Sequence, residues 1–363
     1  MKAAVLWELG SPLTIEEVEL PRLAKGQVLV RVQLSAVCHS QKLEVSGGRG
    51  VDRFLPHLIG HEGVGVVEDV GPSVTKVRPG DQVVLSWIRG SGCAADPISY
   101  SSKRGRVNAG PIATFCELPI VSEQCVTRID PPVDPELAVL AGCAIPTGVG
   151  TVWNAMPAMT DGAMAVVGIG GVGLSAVWGA VAAGWGCVIA IDLHESRLQR
   201  ARELGATHTV LASQVDTKEA VLAITKGEGC KLVLECAGSA GAMQAAIGIA
   251  KAPGGRVIIA GNLEVGKTIA IDPFDLVRGR WLGGSWGGGI NPDVDIPQFV
   301  RLVTQGALPH TLLMGKRFAL HQVNDALETL GSAEPGRSLL QCGLRDSSEP
   351  PEAQRHATTL LSG

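Results

Sequence analysis

The chain has 363 residues, with 31 Lys and Arg against 35 Asp and Glu for a formal charge of −4; that balance offers no polyanion-binding face, so no nucleic-acid partner is expected. Apolar residues make up 45% and aromatic ones only 4%, which suits two domains with cores of Ala, Val, Leu and Ile. The nine cysteines are odd in number and follow a start too short for a secretory apolar segment, so reduced thiols in a cytoplasm are expected rather than a disulfide frame.

Residues 1 to about 145 read as β-rich: VLVRV at 28–32, GVGVV at 63–67 and DQVVL at 81–85 are short β-branched runs punctuated by Gly and Pro. From about Pro146 strand and helix patterns alternate, with strands at 163–167, 187–191, 231–235 and 255–260, as a doubly wound parallel α/β sheet requires. The glycine cluster at 283–289 marks a second boundary. Helical patterns at 295–306 and 320–330 then return the chain to the first domain. The division expected is 1–145 with 285–345 as one domain, 146–284 as the other, and 346–363 as a flexible tail without periodicity.

The second domain carries the most informative motif. AMAVV at 163–167 is a buried-strand pattern that runs into Gly168-Ile-Gly170-Gly-Val-Gly173, and the next strand ends in Asp192. Gly168 permits the tight turn, Gly170 lets a pyrophosphate approach the backbone, and Gly173 lets the helix pack closely on the strand. The helix N-terminus offers unpaired N–H groups to phosphate, and Asp192 can bond both ribose hydroxyls of the adenosine half. A carboxylate there repels a 2′-phosphate, so NAD is expected over NADP, with Arg197 nearby softening the preference. Residues 162–191 carry no charge and would suit a membrane span by length. The glycines and the strand–turn–helix–strand division argue for a nucleotide-binding unit instead, and no membrane partner is expected.

In the first domain Cys38-His39-Ser40-Gln41 closes an extended run, His61-Glu62 precedes a strand, and Cys143 stands before Thr147 near the domain junction. Two thiolates and an imidazole make a catalytic zinc site with one open position. The spacings match no local zinc rule, so buried thiols and a turn-capping histidine are an equal reading of the residues alone.

The ordered set Cys38-His-Ser, Gly60-His-Glu-x-x-Gly65, Gly142-Cys-x-x-x-Thr147-Gly and Gly168-x-Gly-x-x-Gly173, with Glu235-Cys-Ala-Gly238, Gly254-Gly255 and Gly336-Arg337, resembles the medium-chain zinc-dependent alcohol dehydrogenase family over nearly all of residues 1–343. The resemblance implies a β-rich GroES-like catalytic domain beside a Rossmann domain. It further implies one catalytic zinc on Cys38, His61 and Cys143, with Glu62 close by as a transient ligand. Ser40 takes the substrate proton, His39 and Arg337 face the cofactor phosphates, Thr147 faces the nicotinamide, and Trp87 and Trp286 wall the substrate pocket. The activity implied is hydride transfer between NAD and an alcohol, aldehyde or ketone, in a homo-oligomer (dimer or tetramer).

Three departures from the family pattern stand out. Gln41 replaces an aspartate behind the zinc histidine, and Leu43 replaces a proton-relaying histidine. The segment 89–116 holds only Cys93 and Cys116 where relatives carry four clustered cysteines, so no structural zinc is expected; packing or a partner subunit must hold that lobe. Two rivals follow: a zinc-free NADPH-dependent quinone or enone reductase, against which the full ligand set speaks, and a non-catalytic cofactor-binding scaffold, against which Ser40 also speaks.

Overall fold

The computed structural model describes residues 1–155 and 161–343; the tail expected from residue 346 lies outside them. Strands Lys2–Leu6, Thr14–Glu19, Ile98–Ser102, Gly105–Ala109 and His57–Leu58 close a small barrel. Beside it lies a seven-stranded sheet whose long central members are Gln27–Ala36 and Glu62–Val70. The runs read at 28–32, 63–67 and 81–85 fall inside strands Gln27–Ala36, Glu62–Val70 and Gln82–Ser86. Val28, Val30 and Val32 point into one core while Arg31 between them is exposed, the alternation of a half-buried strand. Late in the chain Arg337–Gln341 pairs antiparallel with Gln27–Ala36, and Met314–Ala319 pairs with it in turn, so the last segment completes the first sheet.

The segment 89–116 is held within the chain. Ile98–Ser102 and Gly105–Ala109 form a hairpin that joins the barrel through Val18 and Ser102. Tyr100 is buried there and its hydroxyl accepts the Ile120 N–H at 2.8 Å. The Glu123 carboxylate accepts backbone N–H groups of Thr75 and Lys76, each at 2.6 Å, and that of Cys93. One carboxylate thereby ties down three loop amides that would otherwise need water.

The second domain is a six-stranded parallel sheet in the order His208–Leu211, Cys187–Asp192, Ala163–Val167, Leu232–Glu235, Arg256–Ile259, Trp281–Gly284, which places the crossover, and the ligand crevice it creates, beside the glycine turn. Both faces are covered. Met164 and Val166 join a core with Leu174, Val177 and Leu198, whereas Ala163, Ala165 and Val167 join one with Val221, Ala246 and Ile249. The first of these cores continues into Leu34, Val64, Val84 and Leu339 of the other domain, so an apolar seam joins the two. No single helix among the described residues is long and apolar enough to cross a membrane. At the return, Gly287, Gly288 and Gly289 all take positive φ, and a Cβ on Gly288 would lie 2.1 Å from the Pro146 carbonyl oxygen.

Glu235, at the carboxyl end of its strand, is fully buried; one oxygen accepts the Ala237 and Gly238 N–H groups at 2.8 and 2.7 Å, and the other has no partner. Burial pushes this carboxyl up to about 7. The folded state therefore holds the proton more tightly than the unfolded chain. The stabilisation is complete below the ordinary carboxyl value and is lost as the pH rises through about 7. Glu235→Gln is expected to remove a fall in stability on the order of 3 kcal/mol between pH 5 and 8. Guanidinium unfolding across that range checks it: parallel pH profiles for the two proteins would contradict the assignment.

Candidate metal centre and dinucleotide site

Cys38 sits in extended backbone (φ −112°, ψ 151°) just before helix His39–Val45. His61 stands between Gly60 and strand Glu62–Val70. Gly60 takes φ +102°, and a Cβ there would lie 2.5 Å from Thr114 Oγ1 and 2.7 Å from the Phe115 nitrogen, so glycine alone lets the imidazole turn inward. Cys143 follows the short turn Val139–Gly142 and is buried. Widely separated in sequence, the three side chains bring one ligand atom each to within 4.8 Å of one another. Among the described residues this is the one convergence of three metal-binding side chains.

The electrostatics favour deprotonated sulfur. A hydrogen bond with Cys143, helped by Arg337 and His61, holds the Cys38 thiol well below the usual range, and the same pairing pushes Cys143 up; one thiolate is stabilised by the other's proton. His61 Nε2 is buried without a partner, while its Nδ1 meets the Gln41 amide nitrogen. Two sulfurs and an orphaned imidazole nitrogen are a donor set that suits zinc. Behind them Glu62 is fully buried: Oε1 accepts the Ala144 N–H at 2.8 Å, and Oε2 pairs with Arg337 at 3.1 and 3.2 Å. Arg337 also donates to Cys143 Sγ at 3.5 Å. Read from sequence as a phosphate-facing residue, Arg337 is thus held behind the two sulfurs, while its Cδ stays 3.2 Å from where a Cβ of Gly171 would be, against the glycine turn.

That turn has the expected form. Gly168 takes φ +89°, nothing lies within 4 Å of a Cβ built on Gly170, and one on Gly173 would lie 2.0 Å from the Gly168 carbonyl oxygen. Gly170 is thus open for a ligand, and Gly173 is closed by packing. Asp192 accepts the Ile169 N–H at 2.7 Å through one oxygen and the His194 N–H at 3.0 Å through the other, so the acid braces the turn. Arg197 lies 3.6 Å from Asp192 and donates to the Ser332 carbonyl at 2.6 Å. His39 is exposed at the first position of its helix.

A cleft of about 930 Å³ opens onto the three ligands and is also lined by Ser40, Thr147, Trp87 and Trp286. Ser40 Oγ lies 3.5 Å from His61 Nδ1. Thr147, in the turn Pro146–Gly150, has a buried hydroxyl with no partner. Trp87 packs edge-on against Trp286 at 4.8 Å, and Trp286 is 80% exposed at the mouth. Sequence reasoning missed two features of the wall. His57 donates to the Leu58 carbonyl and pairs with Asp52, both at 2.8 Å. The Val265 N–H donates to Gly48 at 2.8 Å, tying loops of the two domains together. Only a lone His in a hydrophobic run signalled the first, and nothing local signalled the second.

Family models match in two parts: an alcohol dehydrogenase GroES-like domain over residues 24–131 and a zinc-binding dehydrogenase domain over residues 171–305. Full-length relatives include the S-(hydroxymethyl)glutathione dehydrogenase of Escherichia coli (strain SMS-3-5 / SECEC), 31% identical over 94% of this chain and 99% of its own. That of Photobacterium damsela subsp. piscicida is 30% identical over 93% and 99%. Among solved structures, an alcohol dehydrogenase zinc-binding domain protein from Burkholderia ambifaria superposes with a TM-score of 0.85 at 30% identity. Benzyl alcohol dehydrogenase from Acinetobacter calcoaceticus does so with 0.83 at 28%. Each superposition covers 94% of this chain and 99% of the other. With ligand cluster, glycine turn and both domains in family order, the chain belongs to the medium-chain zinc-dependent alcohol dehydrogenases and is an oxidoreductase of that type.

Proposed function

We propose that this chain oxidises a primary alcohol with a bulky apolar body to its aldehyde, and runs the reverse reduction, with NAD as hydride carrier and one zinc ion per subunit. The observation that carries the reading is the convergence of Cys38, His61 and Cys143, with His61 Nε2 unpartnered, on the wall of a cleft that also presents the unpartnered Thr147 hydroxyl. Cys38, His61 and Cys143 would hold a zinc ion, which would supply Lewis acidity in the cleft, and a nicotinamide cofactor would supply hydride chemistry.

The protein's own groups do the rest. Ser40, lining the cleft, accepts the alcohol proton. Thr147 fixes the nicotinamide edge, and Gly170 admits the pyrophosphate to the helix N-terminus. Asp192 binds the adenosine ribose. Leu43, buried in the cleft wall, has no proton to pass on, so water carries the Ser40 proton outward. Trp87 and Trp286 present aromatic faces and edges to the substrate body, in keeping with the benzyl alcohol dehydrogenase among the structural relatives. A second reading, a hydroxymethyl adduct of a peptide-like thiol, is favoured by the charged rim of Glu44, Arg49, Asp52 and Arg53 and by the substrate in the relatives' names. A homo-oligomer is supported by the edge strand Trp281–Gly284, whose outer side carries no neighbouring strand among the described residues and whose Trp281 is 48% exposed.

NADH formation is to be followed over aliphatic, aryl, secondary and polyol alcohols and over formaldehyde with glutathione, each with and without a strong chelator. Chelator-sensitive turnover of aryl alcohols is the expected outcome; chelator-insensitive turnover would overturn the zinc mechanism. Elemental analysis should return one zinc per subunit, and Cys38→Ser should lose metal and turnover while still binding NAD. A zinc content of two would contradict the single-site reading.

The cofactor assignment has its own test. Asp192→Ala removes a charged hydrogen-bond acceptor that meets the ribose, an effect of about 1.5–3 kcal/mol, or roughly 10- to 100-fold. The ratio of kcat/KM for NAD over NADP should fall by that factor. An unchanged ratio would remove Asp192 from the cofactor site.

A further inference from the structure

We infer that Gln41 controls how readily the metal centre loads, because its single amide oxygen faces two donors once His61 takes up a metal; the inference rests on the zinc reading above. Gln41 is fully buried, and its Oε1 accepts the backbone N–H of Cys38 at 2.7 Å. That bond satisfies the amide at the start of helix His39–Val45. The other end of the side chain, the Nε2 amino group, lies against His61 Nδ1. An amino group can only donate, so Nδ1 accepts and the imidazole proton resides on Nε2. Nε2 is the nitrogen left buried and unpartnered beside the two cysteines. Metal-free His61 is therefore held as the tautomer that cannot ligate through the nitrogen facing the sulfurs.

Loading moves that proton to Nδ1, which then needs an acceptor. Turning the amide by 180° supplies the oxygen to Nδ1 but sets its amino group against the Cys38 N–H. The two ends of the amide face Cys38 N–H and His61 Nδ1, and only one end carries the oxygen, so either setting leaves one of these donors facing an amino group. Ser40 Oγ, 3.5 Å from Nδ1, is at the limit of bonding and cannot substitute for it. The structure thus makes Gln41 a positioning residue that trades a helix-start hydrogen bond against the metal-binding tautomer. A carboxylate of the same length offers two acceptor oxygens and serves both donors at once.

The test is Gln41→Glu, which keeps the length and shape of the side chain. Zinc dissociation constants from competition with a chromophoric chelator should show the variant binding zinc on the order of 10- to 100-fold more tightly. The second readout does not depend on zinc affinity: ¹⁵N imidazole spectra of the zinc-free protein, with His61→Ala to assign the ring. The expected spectrum has a bare Nδ1 and a protonated Nε2 in the unaltered protein, and the reverse in Gln41→Glu. A protonated Nδ1 in the unaltered protein would overturn the inference even if the variant binds more tightly, because added charge alone would then be the cause. Equal zinc affinity in the two proteins would overturn it as well while leaving the zinc reading intact. A protein that takes up no zinc with either residue would overturn both.

Discussion

The site rests on a buried charge balance. Cys38, Cys143 and Glu62 crowd around one guanidinium, that of Arg337, in a region with almost no solvent exposure on the arginine, the glutamate or Cys143. Three anions and one cation are not a stable set in a protein interior. The protein alone meets the imbalance by leaving a proton on Cys143 and raising Glu62, whose burial outweighs its ion pair. A dication makes the sum zero and removes the reason for either adjustment. The same arithmetic explains the position of Arg337: a lysine would supply the charge but not the planar fork that reaches Glu62 through two nitrogens and a cysteine sulfur besides.

That arrangement also welds the two ends of the chain's logic together. Glu62 begins the strand that follows His61, and Arg337 begins the last strand of the same sheet, with its side chain against the glycine turn of the other domain. Cys143 lies at the junction, where Gly142 has no room for a side chain because a Cβ would lie 2.3 Å from the Leu85 carbonyl oxygen. The Cys–His–Cys cluster, its counter-charge and the glycine turn are therefore parts of one packed seam, continuous with the apolar core that crosses between the domains.

What could be read from sequence divides along physical lines. The glycine turn and its strands were legible because their determinants are local: close contacts at Gly168 and Gly173 and an acid at the next strand's end. The long strands of the first sheet showed through β-branched runs, although the sequence reading placed their ends several residues short, as with 28–32 inside Gln27–Ala36. The hairpin around Tyr100 escaped, since Ser, Tyr and Lys at a barrel edge carry little hydrophobic alternation. The ligand set was open on residue type alone and became readable only as an ordered series of motifs. Arg337 shows the remaining gap. Its place in the family pattern pointed to the cofactor, whereas three-dimensional packing shows its charge spent on Glu62 and Cys143.

Helix His39–Val45 concentrates these constraints. Its preceding residue is one of the three clustered ligand-type side chains, its second residue is the hydroxyl next to the imidazole, and its third is the amide that contacts His61. Lys42 then donates to the Leu330 carbonyl at 2.6 Å, and the loop beyond the helix meets the nucleotide-binding domain where Val265 donates to Gly48. A helix of seven residues is too short to be stable by itself, so its position is set by what holds its ends. One end is fixed by the ligand cluster and the other by the Gly10 N–H on the Val45 carbonyl, with the following loop meeting Val265. Ser40 and Gln41 are thereby held beside His61 by the same short helix whose following loop touches the Val265 loop of the other domain.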